Sequence, residues 1–319
     1  DLVASGVVPA AHASDGGGSI RIPSSCCGLF GLKPSRGRVP MGPPRTEGWG
    51  GLSTHHAITR SVRDSAAILD VTLGIEPGSR YGAPSPQGGF LAQVGKDPGR
   101  LRVALMTRPI AGSPVDEHCL EAVRATARLC EGLGHHVEEA NVELDAEALG
   151  WASFAIIGPS VALDVADRCK ALGITPGPDV LEPITLGFAE FGKHFTGMDG
   201  VRATNMLQDA AIKVARFMEK HDVILMPTLA APPIELGRIN LSPDCGFQEW
   251  GQRAAVYSPF CQLANWTGQP AMSVPLSMSR EGLPIGSMFY GRYGDEATLL
   301  RLAGQLERTA PWAGRRPPL

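Results

Sequence analysis

Apolar residues recur along this 319-residue chain with two periods, near 3.6 and near 2, and their succession predicts alternating helices and strands. Ser61, followed by Asp64, resembles a capping box with Asp in place of Glu, and predicts a helix to about Val71 that Gly74 ends. Leu101–Met106 predicts a short strand. Ser113 and Pro114 then predict the start of a helix whose apolar residues Leu120, Val123, Ala127 and Cys130 share one face, ending near Gly134. A strand near Val137 completes a strand–helix–strand unit. Val201–Lys220 reads as a second long helix, and Val223–Met226 as a buried strand stopped at Pro227. Ala271–Leu276 and Ile285–Tyr290 read as strands joined in a hairpin across Glu281-Gly282, and Asp295–Thr309 as an amphipathic closing helix. Gly78–Gly99, rich in Pro and Gly, reads as a long surface excursion and not as a domain boundary. The sequence has no internal repeat.

The stretch with the most chemistry is Asp15–Pro23, DGGGSIRIP. Glycine takes backbone angles closed to other residues, so Gly16, Gly17 and Gly18 are free to turn their N–H groups to one side. A concave set of N–H groups binds negative charge. Ser19, at its end, is placed to attack a carbonyl whose oxyanion the nest then holds. A glycine run before a serine is ordinarily a flexible loop. Linkers, however, are polar on both sides, whereas Val7–Ala11 precedes this run and Ile20, Ile22, Leu29 and Phe30 follow it. That setting predicts burial, and buried charges need partners, so Asp15 and Arg21 are expected to pair and fix the loop. Phosphate-binding readings fit poorly: Gly18-Ser19-Ile20 lacks the P-loop lysine, contiguous glycines do not match the dinucleotide fingerprint, and Arg21 stands where a hydrolase elbow needs glycine.

HASDGGGSIRIPSSCCGLFGLKPSRGRVP, Thr59–Asp64, DVILMPTLAAPP, NWTGQPAMSVPL, EGLPIG and Pro311-Trp312 together resemble the amidase signature family, and within it the bacterial branch that includes the 6-aminohexanoate cyclic-dimer hydrolases. The segment from about Asp145 to Gly200 carries little of that pattern. The resemblance implies a single α/β/α layered domain over residues 1–319 with a large mixed, mainly parallel sheet. It also implies a serine hydrolase that cleaves amide bonds with a Ser–cis-Ser–Lys triad. It assigns the nucleophile to Ser19, the oxyanion-hole N–H groups to Gly16, Gly17 and Gly18, and loop-shaping roles to Ser14 (where the family usually has threonine), Asp15 and Arg21. In the family, the bridging serine and the lysine lie upstream of the glycine run. All six lysines here (Lys33, Lys96, Lys170, Lys193, Lys213 and Lys220) lie downstream, and Lys33 reads as structural. Asp1–Gly6 reads as the tail of a helix. The chain is therefore expected to be the C-terminal portion of an amidase lacking its N-terminal part, and weak or inactive by itself. A serine hydroxyl is a poor nucleophile without a base. An inactive piece that needs a partner, and a non-catalytic carboxylate-binding protein, are the alternatives.

His12 is close to Ser19 in sequence; a Ser19–His12 dyad and an ordinary strand position are its two readings. His55-His56 and His135-His136 lack a third ligand, so no metal site is argued, and no cofactor is expected. A net charge of −3 with 19% charged residues gives no footprint for nucleic acid or anionic membrane. Seven cysteines, two of them adjacent in an apolar setting, suit a reduced, cytoplasmic location. No apolar run reads as long enough to span a bilayer. The expected partner is a small, neutral or apolar amide, with a homodimer as a candidate assembly. Phe154, Ile156, Ile157, Phe188, Phe191 and Phe195 are candidates for its pocket but read first as core, and Glu182, Glu190 and Asp199 read as solvated. Trp49 and Asn265–Pro270 are candidates to lie near the site.

Overall fold

A computed structural model describes residues 2–43, 45–239 and 246–317. Asp1 lies outside the described residues, as does Cys245, one of the seven cysteines counted above. The chain opens with α1 (Leu2–Ser5), the edge strand β1 (Ala10–Asp15), the short α2 (Arg21–Cys26) and β2 (Phe30–Lys33). It continues through β3 (Thr54–Thr59), α3 (Val62–Thr72), β4 (Arg102–Leu105), α4 (Glu117–Gly132) and β5 (His136–Glu139). Three helices follow: α5 (Ala146–Leu172), α6 (Pro183–Gly192) and α7 (Gly197–Phe217). Last come β6 (Val223–Pro227), α8 (Phe247–Tyr257), α9 (Gln262–Thr267), β7 (Ala271–Met278), β8 (Pro284–Tyr290) and α10 (Glu296–Thr309).

The strands form one eight-stranded sheet in the order β1-β3-β2-β7-β8-β6-β4-β5. Side chains alternate across it, because successive residues of a strand point to opposite faces. Val103, Leu105, Val223 and Leu225 meet α3, α4 and α10 on one face. Ala104, Ile224 and Met226 meet α5, α7 and α9 on the other. This is the expected α/β/α layering with a mixed sheet. The expected parallel majority is not observed: only β4 lies parallel to its neighbours β5 and β6, and every other pairing is antiparallel. The reason is local. The β7–β8 hairpin, whose short turn permits only antiparallel pairing, is inserted between β6 and β2.

Most helix and strand expectations are met. The Ser61 hydroxyl accepts the Asp64 N–H at 3.1 Å and caps α3, and Asp295 caps α10 by accepting the Thr298 N–H. α10 buries Leu299, Leu300, Leu302 and Leu306 completely, each such side chain contributing about 1.5–3 kcal/mol. Three corrections arise. The cap of α4 is Asp116, whose carboxylate accepts the His118 N–H at 2.8 Å, and not Ser113. The Gly78–Gly99 excursion is stapled down: Phe90 and Gln93 are buried, Phe90 donates its N–H to Asp70, and Gln93 accepts from Arg301 on α10. Finally, α5 is 27 residues long with a mean hydropathy of 1.5 in its most apolar window, so it is long and apolar enough to cross a membrane. In this fold α5 packs along α6 and α7 and buries Leu149, Ala152 and Ala155 in the second core. Gly158 of α5 and Gly192 of α6 cross so closely that a Cβ on Gly192 would lie 2.1 Å from the Gly158 carbonyl oxygen.

Candidate active site

The glycine loop joins β1 to α2 at the open edge of the sheet. Two of its glycines are demanded by space. A Cβ on Gly16 would lie 2.5 Å from the Trp49 ring, and one on Gly18 would lie 2.7 Å from both Cys261 and Ile22. Gly18 also has φ +130°, a region that L side chains avoid. At Gly17, by contrast, a Cβ meets only Gln262 at 3.9 Å, so this residue is open on its outer side. Trp49 is itself in the left-handed region at φ 49°, a conformation that costs a non-glycine residue energy and points to a constraint at a functional site.

Asp15 and Arg21 do pair, and both are fully buried. The guanidinium grips the carboxylate bidentately, Nη2 to Oδ1 at 2.9 Å and Nε to Oδ2 at 3.0 Å. Its remaining donors reach the Cys261 carbonyl at 2.6 Å and the Asn265 side-chain oxygen at 2.8 Å. Asn265 in turn donates to Asp15 Oδ1 and to the Asp15 carbonyl, each at 2.9 Å. Burial alone would raise the Asp15 pKa, but the Arg21 charge and hydrogen bonds outweigh it and hold the carboxyl at about 2. The carboxylate also accepts the N–H of Gly18 at 2.7 Å and of Ile20 at 3.2 Å. The Gly18 N–H, one of the three expected oxyanion donors, therefore points inward to Asp15. The N–H groups of Gly16, Gly17 and Ser19 have no partner among the described residues.

Ser19 is exposed, and its hydroxyl has no hydrogen-bond partner among the described residues. Ser14, on β1 opposite His55, is also exposed. His12 does not meet Ser19: its Nε2 lies 3.2 Å from His55 Nδ1, so the dyad reading gives way to the strand position. Five lysines are exposed. Lys33, on β2, is fully buried and donates to the Pro34 carbonyl at 2.7 Å. Burial, reinforced by the Arg21 charge, pushes its pKa from 10.5 down to about 7. Sequence reasoning missed this neutral-leaning ammonium, as it missed Cys261 and Met288 as partners of Arg21. Among the described residues no group of three or more His, Cys, Asp or Glu is gathered for a metal ion, and the six described cysteines are free thiols. Asp199 accepts the N–H of Thr196, the N-cap of α7, and Glu190 pairs with Lys193 at the surface.

Lys33 has a measurable consequence. Its pKa is depressed in the folded state, so between about pH 7 and 10.5 the unfolded chain binds the extra proton, and stability rises with pH in that window. Lys33→Met is expected to gain most over the parent at or below pH 7 and progressively less toward pH 10. Denaturant melts at pH 7 and 9.5 would refute this if the difference between the two proteins stayed constant.

The layered sheet and the buttressed glycine–serine loop define an α/β protein with an exposed serine beside a glycine nest at a sheet edge. Residues 1–300 match the amidase family model, and the chain belongs to that family. It is 34% identical over 332 residues to a 6-aminohexanoate-cyclic-dimer hydrolase of Paenarthrobacter ureafaciens, an alignment covering 99% of this chain and 66% of that protein. The solved structure of a 6-aminohexanoate cyclic dimer hydrolase superposes with a TM-score of 0.90 at 32% identity, covering 99% of this chain and 67% of that one. A bacterial aryl acylamidase of the amidase signature family superposes with a TM-score of 0.79 at 24% identity, covering 100% and 66%, and shares the fold. This chain thus spans about two-thirds of the length of the relatives it matches.

Proposed function

We propose that this chain carries the nucleophile half of a serine amidase, acting on the carbon–nitrogen bond of a small, neutral or apolar amide. Ser19 Oγ attacks the carbonyl carbon, and the C–N bond breaks as the amine takes up a proton. Water then hydrolyses the acyl-serine. The N–H groups of Gly16, Gly17 and Ser19 receive the oxyanion, each donor of this kind being worth roughly 3 kcal/mol. Gly18 serves differently, binding Asp15 to hold the loop in shape. The observation that carries the reading is this division: one N–H locked inward on a buried ion pair, its neighbours unpartnered beside an exposed serine.

Among the described residues no base or relay is hydrogen-bonded to Ser19. Lys33 is buried on the Pro34 carbonyl and makes no hydrogen bond to Ser19, and the other lysines are exposed. The reading therefore places the activating lysine and bridging serine in sequence outside these 319 residues, in keeping with relatives half as long again. An apolar substrate is favoured by Phe154, Phe188 and Phe247, half-buried, and the exposed Phe191, rings whose centroids lie 4.7–6.0 Å apart across α5, α6 and α8. A fluorophosphonate probe tests the assignment. The chain joined to an upstream segment that supplies lysine and serine is expected to label at Ser19, and its Ser19→Ala form not at all. The 319-residue chain by itself is expected to label at least ~10³-fold more slowly. Equal labelling of the Ser19→Ala form would remove Ser19 as nucleophile. Absence of labelling, together with carboxylates raising the melting temperature, would favour the carboxylate-binding alternative.

A further inference from the structure

Away from the glycine loop, on the far side of α2, the two ends of the chain enclose a cavity of about 430 Å³ that the proposed chemistry does not use. Ligand cavities commonly run from about 300 to 1,000 Å³. Its deeper wall is apolar: Trp312 is 1% exposed and Leu29 5%. Met278 and Leu283, both half-open to solvent, carry the apolar surface toward the rim. Trp312 is held in place by donating its indole N–H to the Arg60 carbonyl at 2.9 Å.

The mouth carries three arginines, Arg60, Arg315 and Arg316. Arg60 Nη1 and Arg316 Nε converge on Gly6, lying 3.2 and 3.3 Å from the single point where a Gly6 Cβ would stand. Elsewhere in the molecule Arg21, Arg38, Arg102 and Arg292 each sit on a carboxylate. These three do not: among the described residues their hydrogen bonds go only to carbonyl oxygens, of Val3, Pro275, Ala313 and Arg315. Guanidinium groups brought together without a counter-charge repel one another, and an anion seated between them removes that repulsion and gains charge-assisted hydrogen bonds.

We propose that this cavity binds an amphiphilic monoanion, with its carboxylate-type head between Arg60 and Arg316 and its apolar chain against Leu29 and Trp312. The site is separate from the glycine nest and does not depend on the amidase reading. Both features are needed: the charges alone describe a surface patch, and the apolar wall alone describes a gap in packing.

Octanoate is the probe, with acetate and 1-octanol as controls, titrated calorimetrically into the full chain. One octanoate is expected to bind per chain, with acetate and octanol at least tenfold weaker. Arg60→Gln/Arg316→Gln is expected to weaken octanoate at least tenfold; the Arg60 carbonyl that holds Trp312 is backbone and stays. Leu283→Asp, at a partly exposed position, supplies the missing carboxylate from within and is expected to remove octanoate binding while leaving the melting temperature equal or higher. It also keeps the proposal testable if the double variant fails to fold. Octanoate affinity that survives in Leu283→Asp, or in a folded double variant, would place the ligand elsewhere, the glycine nest included, and overturn the proposal. So would equal affinity for octanoate and acetate.

Discussion

Arg21→Ala is expected to cost about 3–5 kcal/mol of stability at pH 7, because it strands the Asp15 carboxylate at 0% exposure without its counter-charge. The loss is not confined to one ion pair. Arg21 also ties the loop to the Cys261 carbonyl and to Asn265, and Asp15 holds the N–H groups of Gly18 and Ile20. The penalty has a pH signature. In the parent, the Asp15 pKa is depressed to about 2, so the contribution of the pair is fully present above the unfolded value of 3.8 and fades as pH falls through 2. In the variant, burial is no longer opposed by Arg21 and the carboxyl protonates more readily, so the deficit narrows as the solution is acidified. Urea melts at pH 7 and pH 4 measure both quantities. Asp15→Asn/Arg21→Met, which removes both charges, is expected to recover much of the loss. A double variant as unstable as Arg21→Ala would show that the charge is not what matters.

Arg38→Ala is expected to cost a similar amount, about 3–5 kcal/mol, by the same physics at a different place. Its guanidinium pairs with Glu296 at 2.6 Å, both groups being buried, and donates to the carbonyls of Ala83 and Gly294 while lying 4.9 Å from the centre of the Phe90 ring. Glu296 also accepts the Ser35 N–H at 2.8 Å. This cluster fastens the end of β2 to the start of α10 and to the Pro-rich excursion. Because none of its members touches the glycine loop, the folded fraction of Arg38→Ala is expected to keep the Ser19 reactivity of the parent. Denaturant melts read the first expectation and probe labelling the second; a stability change below 1 kcal/mol would refute the first.

Much of the site was legible because its chemistry is local. Asp15 and Arg21 bracket three glycines within seven residues, and a buried pair was the simplest way to reconcile two charges with apolar flanks. Trp49 and Asn265, candidates to lie near the site, do lie beside the loop, yet what each does there was not readable. The ring of Trp49 covers Gly16 because an unusual positive φ aims it there, and Asn265 works through contacts about 250 positions away. The inward turn of the Gly18 N–H escaped prediction because three adjacent glycines are identical in sequence and differ only in their surroundings. α5 escaped because its apolar residues fall on all sides and Gly158-Pro159 reads as a break; Pro159 stands inside the helix nonetheless. β2 and β3 went unassigned because FGLK is buried at every position and THHAIT carries two adjacent histidines, so neither shows the alternation of a half-buried strand.

The wide separation of the site's partners bears on the order of events during synthesis. Asp15 and Arg21 leave the ribosome well before Cys261, Asn265 and Met288, which hold Arg21 in place and follow some 240–267 positions later. At about 5–20 residues per second this is a wait of roughly 12 to 50 s. Through that interval the glycine run is an unbraced segment with an unburied ion pair, and contacts of such long range close late and slowly. The glycine loop is thus made long before the residues that fix its shape, so the growing chain carries it unbraced until Met288 has been translated.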